Sequence, residues 1–292
     1  VEPGSEGVRL DRFLTQRIRR LTRTRASRLT VVDLDDPNRN LKKSSMVHAG
    51  QRLWVRRPIP DANVEPPELD VIYEDRDLLI LDKPAGIAIH PTATRFVGTV
   101  THWLKRTFPD AEPAHRLDVE TSGILVCGRH AFATRGLQQL FAARGARKLY
   151  RAVVEGLPTD EHWVVDRPLG FTTDSEIRLK MGHGDAPAET RFSVVRHGRQ
   201  RTLVEARPIS GRQHQIRVHA AMSGHPLVGD KLYGPDEQYF LRHLDGALEP
   251  ADWRSLGHSR HALHAASIEL TWKGVPRRFE APWPSSLDAL VI

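Results

Sequence analysis

The chain has 292 residues, of which 39% are hydrophobic and 27% charged, the balance of an ordinary soluble protein long enough for one large domain or two unequal ones. No apolar run approaches the ~18 residues of a membrane span, and the opening Val1-Glu2-Pro3-Gly4-Ser5 lacks the basic-then-apolar layout of a signal peptide. A single cysteine, Cys127, excludes an internal disulfide, so a cytoplasmic location is expected. The formal charge of +7 has an address. Residues 1–57 hold 14 Lys and Arg against 6 Asp and Glu, which leaves the rest of the chain near neutral at −1. A small arginine-rich module beside a neutral body predicts a nucleic-acid grip joined to something else, and bulky aromatics are too few there for a membrane anchor.

Along the chain, Leu10, Phe13, Leu14, Ile18 and Leu21 recur at helical spacing, with Arg9, Arg12, Arg17, Arg19 and Arg20 between them. Thr22 or Thr24 is placed to cap a second short helix carrying Arg25 and Arg28. Val31 to Asn40 reads as a strand and a turn, and Gly50 to Val55 as a closing strand. This layout resembles the S4 RNA-binding module, whose Arg-Leu-Asp-x-Phe-Leu signature stands here at Arg9 to Leu14; the acidic Val32-Asp33-Leu34-Asp35-Asp36 replaces its usual Val-x-Val-Asn-Gly turn. The expected division is an S4-like domain over residues 1–57, a stiff linker over 58–68 marked by Pro58, Pro60, Pro66 and Pro67, and a body over 69–292.

In the body, Leu69 to Tyr73 and Leu78 to Leu81 predict a β-hairpin. Val100, Trp103, Leu104 and Phe108 make one helical face, and Ala133, Leu137, Leu140 and Phe141 another. Leu149 to Glu155 reads as a strand, Thr190 to Glu205 as a hairpin turning near Gly198, and Gly211 to Gly224 as a helix of about three turns. The mixture lacks regular βαβ alternation, so the fold class is α+β around a largely antiparallel sheet.

The densest chemistry lies in His115-Arg116-Leu117-Asp118-Val119-Glu120-Thr121-Ser122-Gly123, a loop before the apolar run Ile124 to Cys127. Its bland reading is a solvated turn with an ion pair. In an extended segment Asp118 and Glu120 would share a face at ~6.5–7 Å, close to an inverting glycosidase pair, so a glycoside hydrolase is a rival. Ser122 lacks the Gly-x-Ser-x-Gly setting of a hydrolase nucleophile. His214 and His219 are five apart, the wrong spacing for a helical metal pair, and no metal is expected.

His115-Arg116-Leu117-Asp118 with Thr121-Ser122-Gly123 resembles the catalytic motif of RluA-type RNA pseudouridine synthases, and further matches follow in that family's order. These are Asp82-Lys83-Pro84-Ala85-Gly86, Lys148-x-Tyr150-x-Ala152, Gly211-Arg212-x-His214-Gln215-Ile216-Arg217, Gly224-His225-Pro226 through Asp230 with Tyr233-Gly234, and Leu263-His264-Ala265. The resemblance spans residues 69–283, with departures at Val119-Glu120 and at Asp185-Ala186-Pro187-Ala188, where a family lysine is missing.

It implies an isomerase that moves the ribose C1′ of a uridine from N1 to C5 of uracil, a change without net redox and without need of a cofactor. It implies Asp118 as nucleophile, Arg217 as the cation keeping it ionised, Tyr150 as an aromatic against the base, and Arg116 as the residue entering the stack vacated by a flipped uridine. Leu117 and Leu263 are expected to pack along the pocket's apolar wall, and His115, His214 and His219 to make structural hydrogen bonds. Folded RNA is the implied partner, large-subunit ribosomal RNA ahead of transfer RNA, held in part by Arg9, Arg12, Arg19, Arg20, Arg25 and Arg28 of a chain expected to be monomeric. The alternative on the same scaffold is a non-catalytic RNA-binding or ribosome-assembly factor.

Overall fold

Alternating packing partners along one short strand show how the body is layered. Residues Leu78-Leu79-Ile80-Leu81 are all fully buried, although a strand points successive side chains to opposite faces. Leu79 and Leu81 pack with Val100, Trp103 and Leu104, whereas Leu78 and Ile80 pack with Val126 and Leu137. Helices therefore cover both faces, and a continuous apolar run is what such a strand requires.

A computed structural model describes residues 1–18, 21, 26, 29–39, 41–56, 68–91 and 97–292. The chain divides into two compact units, Val1–Ala62 and Asn63–Ile292. In the first, helix α1 (Leu10–Arg17) packs Leu10 and Leu14 onto Ala26 and Val47, with Val31, Leu53 and Val55 from an antiparallel pair, β1 (Thr30–Asp33) and β2 (Leu53–Arg56). Helix α1 is shorter than the periodicity predicted, because Ile18 turns to an extended conformation. Asp33, one of the unexpected acids, is buried and accepts from the Gln51 side chain (2.6 Å) and the Asp35 N–H (3.1 Å), bracing the turn. Arg9 forks onto Asp11, and Arg12 is exposed. Arg19, Arg20, Arg25 and Arg28, the second basic helix, and all but the last residue of the proline-rich linker lie outside the described residues.

The second unit is built on a sheet ordered β3 (Asp70–Glu74), β4 (Leu78–Lys83), β6 (Ser122–Gly128), β13 (Leu263–Trp272), β7 (Ala146–Glu155), β12 (Arg201–Pro208), β11 (Glu189–His197), β8 (His162–Asp166). Two further strands lie beside it: β14 (Val275–Glu280) on β13 and β5 (Glu112–Pro113) on β6. Every pairing is antiparallel except β13 with β6, which is parallel. A small hairpin, β9 (Leu169–Phe171) with β10 (Met181–His183), stands apart. Helices α2 (Val100–Thr107) and α3 (Ala131–Ala142) cover opposite faces of the first half. Helix α4 (Gln215–Met222) covers the second, inserting Ile216 and Ala220 against Ala152, Val204 and Phe192. Helices α5 (Gln238–Asp245), α6 (Pro250–Leu256) and α7 (Ser285–Asp288) complete the unit. No helix among the described residues is long and apolar enough to cross a membrane.

The helix expected to begin at Gly211 starts at Gln215 and makes only about two turns. The reason is local. The Gln215 Oε1 accepts from the Ser210 hydroxyl (2.6 Å) and the Arg212 N–H (3.0 Å), which holds residues 210–213 as a loop.

The two halves of the sheet meet where β6 runs parallel to β13, pairing Ser122 with His264 and Gly123 with Ala265. Gly123 has φ +102°, and a Cβ there would lie 2.3 Å from the Ala265 carbonyl oxygen. The glycine ending the Thr-Ser-Gly motif thus permits the strand contact that fixes the preceding loop. Gly123→Ala is expected to lower stability in urea unfolding by about 3 kcal/mol or more. Gly274→Ala has a similar positive φ, +80°, but open space around it, and should cost only about 1–2 kcal/mol.

Candidate active site

Asp118 stands in the loop between β5 and β6, and that loop is tied down from several sides. The Thr121 N–H bonds back to the Asp118 carbonyl (3.1 Å), closing a turn. Lys83, fully buried at the end of β4, donates to the carbonyls of Pro84 (2.8 Å), Ile87 (3.1 Å) and Val119 (3.2 Å), and the Gly86 N–H reaches Val119 as well (2.7 Å). A buried ammonium is tolerable only when its donors are satisfied; here they brace the Asp118 loop. The role of the Asp-Lys-Pro-Ala-Gly segment is therefore support from beneath.

Glu120 is the other anchor. The turn sends it away from Asp118, and its carboxylate binds the nearly buried Lys231 Nζ (2.7 Å) and the His261 N–H (3.0 Å). Thr121 Oγ1 adds a bond to His261 Nε2 (2.8 Å). Glu120 does not line the cleft, so the two carboxylates form no acid–base pair. The expected shared face required an extended backbone, and residues 118–121 are a turn.

Arg217, from the first turn of α4, lies 99 residues from Asp118 in sequence and donates Nη1 to Asp118 Oδ2 at 2.9 Å. Its other edge is clamped in two-point fashion by Asp230, with Nε to Oδ2 at 2.7 Å and Nη2 to Oδ1 at 2.8 Å, while the guanidinium lies over the Tyr233 ring at 5.0 Å. Asp230 is itself fully buried and also accepts the N–H groups of Leu232 (3.0 Å) and Tyr233 (3.1 Å). It is presented by Gly229, whose φ is +77° and where a Cβ would meet the Arg260 carbonyl at 2.1 Å.

Burial alone would raise the Asp118 pKa, but the charge of Arg217 outweighs it and holds the carboxyl at about 2. At neutral pH Asp118 is an anion, unable to act as a general acid. Its Oδ1 accepts no hydrogen bond from the described residues, and Asp118 lines the cleft. A carboxylate anchored through one oxygen and open at the other can attack an electrophilic carbon or stabilise a cationic one.

The cleft measures about 430 Å³. Leu117, Ile216, Leu263 and Tyr150 line it, and the exposed Arg116, Arg144 and Arg212 stand among its lining residues. Tyr150 is placed by β7 opposite Ala265 of β13. Burial and the nearby Asp118 charge push its hydroxyl pKa up, so it stays a neutral phenol. Lys148, two residues earlier on the same strand, lines the cleft and donates to the Ser210 carbonyl (2.9 Å); burial lowers its pKa.

The structure thus brings together Asp118, Tyr150, Arg217, Arg116, Leu117 and Leu263. Two histidines are structural, as expected. His115 Nε2 accepts from the Val126 N–H (3.0 Å), and burial drops its pKa to about 4. His219 bonds Thr190 Oγ1 (2.8 Å) and the Arg167 carbonyl (3.0 Å). His214 differs. It is the N-cap of α4 in a left-handed conformation (φ 54°), a cost of about 1–2 kcal/mol for a non-glycine residue, and its ring lines the cleft. Asp230, Lys83 and the Glu120–Lys231 pair were not assigned roles from sequence; their only signal was membership of the ordered motifs.

The sheet thus presents an ionised carboxylate, an arginine and a half-buried tyrosine at one cleft. Residues 77–222 match the model of the RNA pseudouridylate synthase family. An uncharacterized RNA pseudouridine synthase of Synechocystis sp. is 34% identical over 254 residues, covering 80% of this chain and 76% of that protein. The ribosomal large subunit pseudouridine synthase C of Vibrio vulnificus is 36% identical over 228 residues, covering 76% and 68%. The solved human RNA pseudouridylate synthase domain containing 1 superposes with a TM-score of 0.63 at 26% identity, covering 78% of this chain and 90% of that one. The chain belongs to the RNA pseudouridine synthases of the RluA type, and it is an isomerase acting on RNA.

Glu120→Gln would leave Lys231 without its counter-charge, and because Glu120 remains partly exposed a loss of about 2–3 kcal/mol is expected in denaturant unfolding near neutral pH. Although burial opposes ionisation, His261 and Lys231 hold the Glu120 carboxyl well below the usual range. Its contribution is therefore present above the ordinary glutamate pKa and lost as pH falls through the depressed folded value. The stability gap between wild type and variant should narrow on acidification below about pH 4.

Proposed function

We propose that Asp118 is the nucleophile of uridine isomerisation, with Arg217 holding it ionised and Tyr150 lying against the uracil. The observation that carries this reading is the asymmetry of Asp118 in the cleft: Oδ2 is bound to Arg217 at 2.9 Å, while Oδ1 accepts no hydrogen bond from the described residues. In the reaction the C1′–N1 bond breaks, the uracil turns within the cleft, and C1′ joins C5, whose proton leaves while N1 gains one. A uridine in folded RNA has to leave its stack to reach this carboxylate, and Arg116, exposed at the cleft, is suited to enter the gap: its planar guanidinium can stack on bases and pair with phosphates.

Large-subunit ribosomal RNA is the proposed substrate ahead of transfer RNA, supported by the names of the relatives that act on the ribosomal large subunit. Residues 1–57 are proposed as an S4-like grip joined by the linker at 58–68 to the catalytic body at 69–292, with Arg9 at the start of α1, Arg12 on it and the arginines beyond it serving the phosphate backbone. The reaction as drawn asks for no cofactor, and the chain is proposed to act as a monomer in the cytoplasm.

Tritium release from RNA carrying 5-³H-uridine tests the assignment. Asp118→Ala is expected to abolish it, while Glu120→Gln, assayed below its unfolding temperature, keeps most of it. Release that survives Asp118→Ala, or falls equally with both changes, contradicts the mechanism.

A further inference from the structure

His214 stands beside Asp118 in the cleft, and the mechanism above does not use it. Its Nε2 lies 3.8 Å from Asp118 Oδ2, too far for a hydrogen bond, and the side chain is only 8% exposed. Its Nδ1 is 2.8 Å from the Tyr233 hydroxyl oxygen. That oxygen also accepts the Met181 N–H at 2.9 Å.

Hydrogen-bond accounting then decides the tautomer. A tyrosine hydroxyl has one proton to give, and burial pushes the Tyr233 pKa up, so the proton is present at neutral pH. Among the described residues its one acceptor is His214 Nδ1. If Nδ1 carried the proton instead, the Tyr233 oxygen would face two N–H donors and its own proton would have no partner. Tyr233 therefore donates, Nδ1 accepts, and the proton of the neutral ring sits on Nε2. Burial and the charge of Arg217 lower the His214 pKa to about 4, against the opposing pull of Asp118 and Asp230, so the ring is neutral at physiological pH.

We propose that His214 is a substrate-contacting donor of the reaction: its Nε2–H, fixed by Tyr233 and spared by Asp118, binds the uracil carbonyl oxygen nearest the breaking C1′–N1 bond. This rests on the reading of Asp118 given above. When that bond opens, its electron pair leaves with the uracil and spreads from N1 onto the ring carbonyl oxygens. A preoriented neutral N–H beside the attacking carboxylate stabilises that charge by hydrogen bonding and transfers no proton. The left-handed backbone at His214, at the N-terminus of the helix that also supplies Arg217, sets donor and arginine in one rigid unit.

Two substitutions separate the ends of the ring. His214→Asn keeps an acceptor near Tyr233 and withdraws the donor from the cleft, whereas His214→Gln carries an amide N–H to the Nε2 position and gives up the Tyr233 bond. With both variants shown to be folded by their unfolding midpoints, His214→Asn is expected to lose on the order of a hundredfold in kcat with KM for RNA little changed. His214→Gln is expected to recover most of that loss. Equal turnover in the two variants, or the reverse order, overturns the proposal and makes His214 a prop for Tyr233. In the free protein, ¹⁵N NMR of labelled histidine, assigned with the Gln variant, should show a neutral Nε2–H ring; an Nδ1–H ring or an imidazolium overturns it without reference to activity. Wild-type protein that releases no tritium from any RNA would instead overturn the reading of the reaction, and the NMR result would still decide the tautomer.

Discussion

Everything in the cleft is arranged around one guanidinium held between two carboxylates. Arg217 joins α4, the Asp118 loop and the turn carrying Asp230, three segments that share no secondary structure. Two anions and one cation in a largely buried site make a triad with net negative charge, which burial alone would not tolerate. What makes it tolerable is full satisfaction of the inner partner. Asp230 takes two bonds from Arg217 and two from backbone N–H groups, so the arginine's Nη1 is left to serve Asp118. A lysine could not span both carboxylates from one planar head. Removing Asp230 would leave Arg217 to turn toward Asp118 and close the oxygen that the reaction needs.

The surrounding braces serve the same end. Lys83 beneath the loop, Glu120 with Lys231 beside it, and Gly123 behind it each restrict where Asp118 can go. Lys83 and Lys231 are buried and depend on complete pairing of their polar groups, whereas Gly123 acts by close backbone approach. A reactive carboxylate displaced by about 1 Å loses much of its advantage, which explains why so much buried polarity is spent around one loop. Tyr233 belongs to this set twice over, through its ring under Arg217 and its hydroxyl on His214.

The architecture was readable where the pattern is local. The apolar runs of β4 and β6, the helical faces of α2 and α3, and the hairpin of β11 and β12 all follow from periodicity and turn residues. The site was readable only through resemblance, because its decisive contact joins residues 99 apart and no spacing rule reports that. Two local inferences failed for one reason. The proximity of Glu120 to Asp118 in sequence suggested a pair, and Gly211 suggested a helix start; in both places side-chain bonds to the backbone override the regular geometry. His214 was illegible for a related reason, since its direction depends on a left-handed backbone and on Tyr233, neither of which leaves a mark in composition.

The central claim is that Arg217, clamped by Asp230, keeps Asp118 ionised with one oxygen free. The direct measurement is the titration of the Asp118 carboxyl, followed by ¹³C NMR in aspartate-labelled protein and assigned with Asp118→Asn. The account predicts a pKa near 2, so that the resonance stays that of an anion from neutral pH down to about pH 3. A carboxyl that titrates at the ordinary aspartate value or above it would contradict the account, because burial would then have prevailed over the arginine.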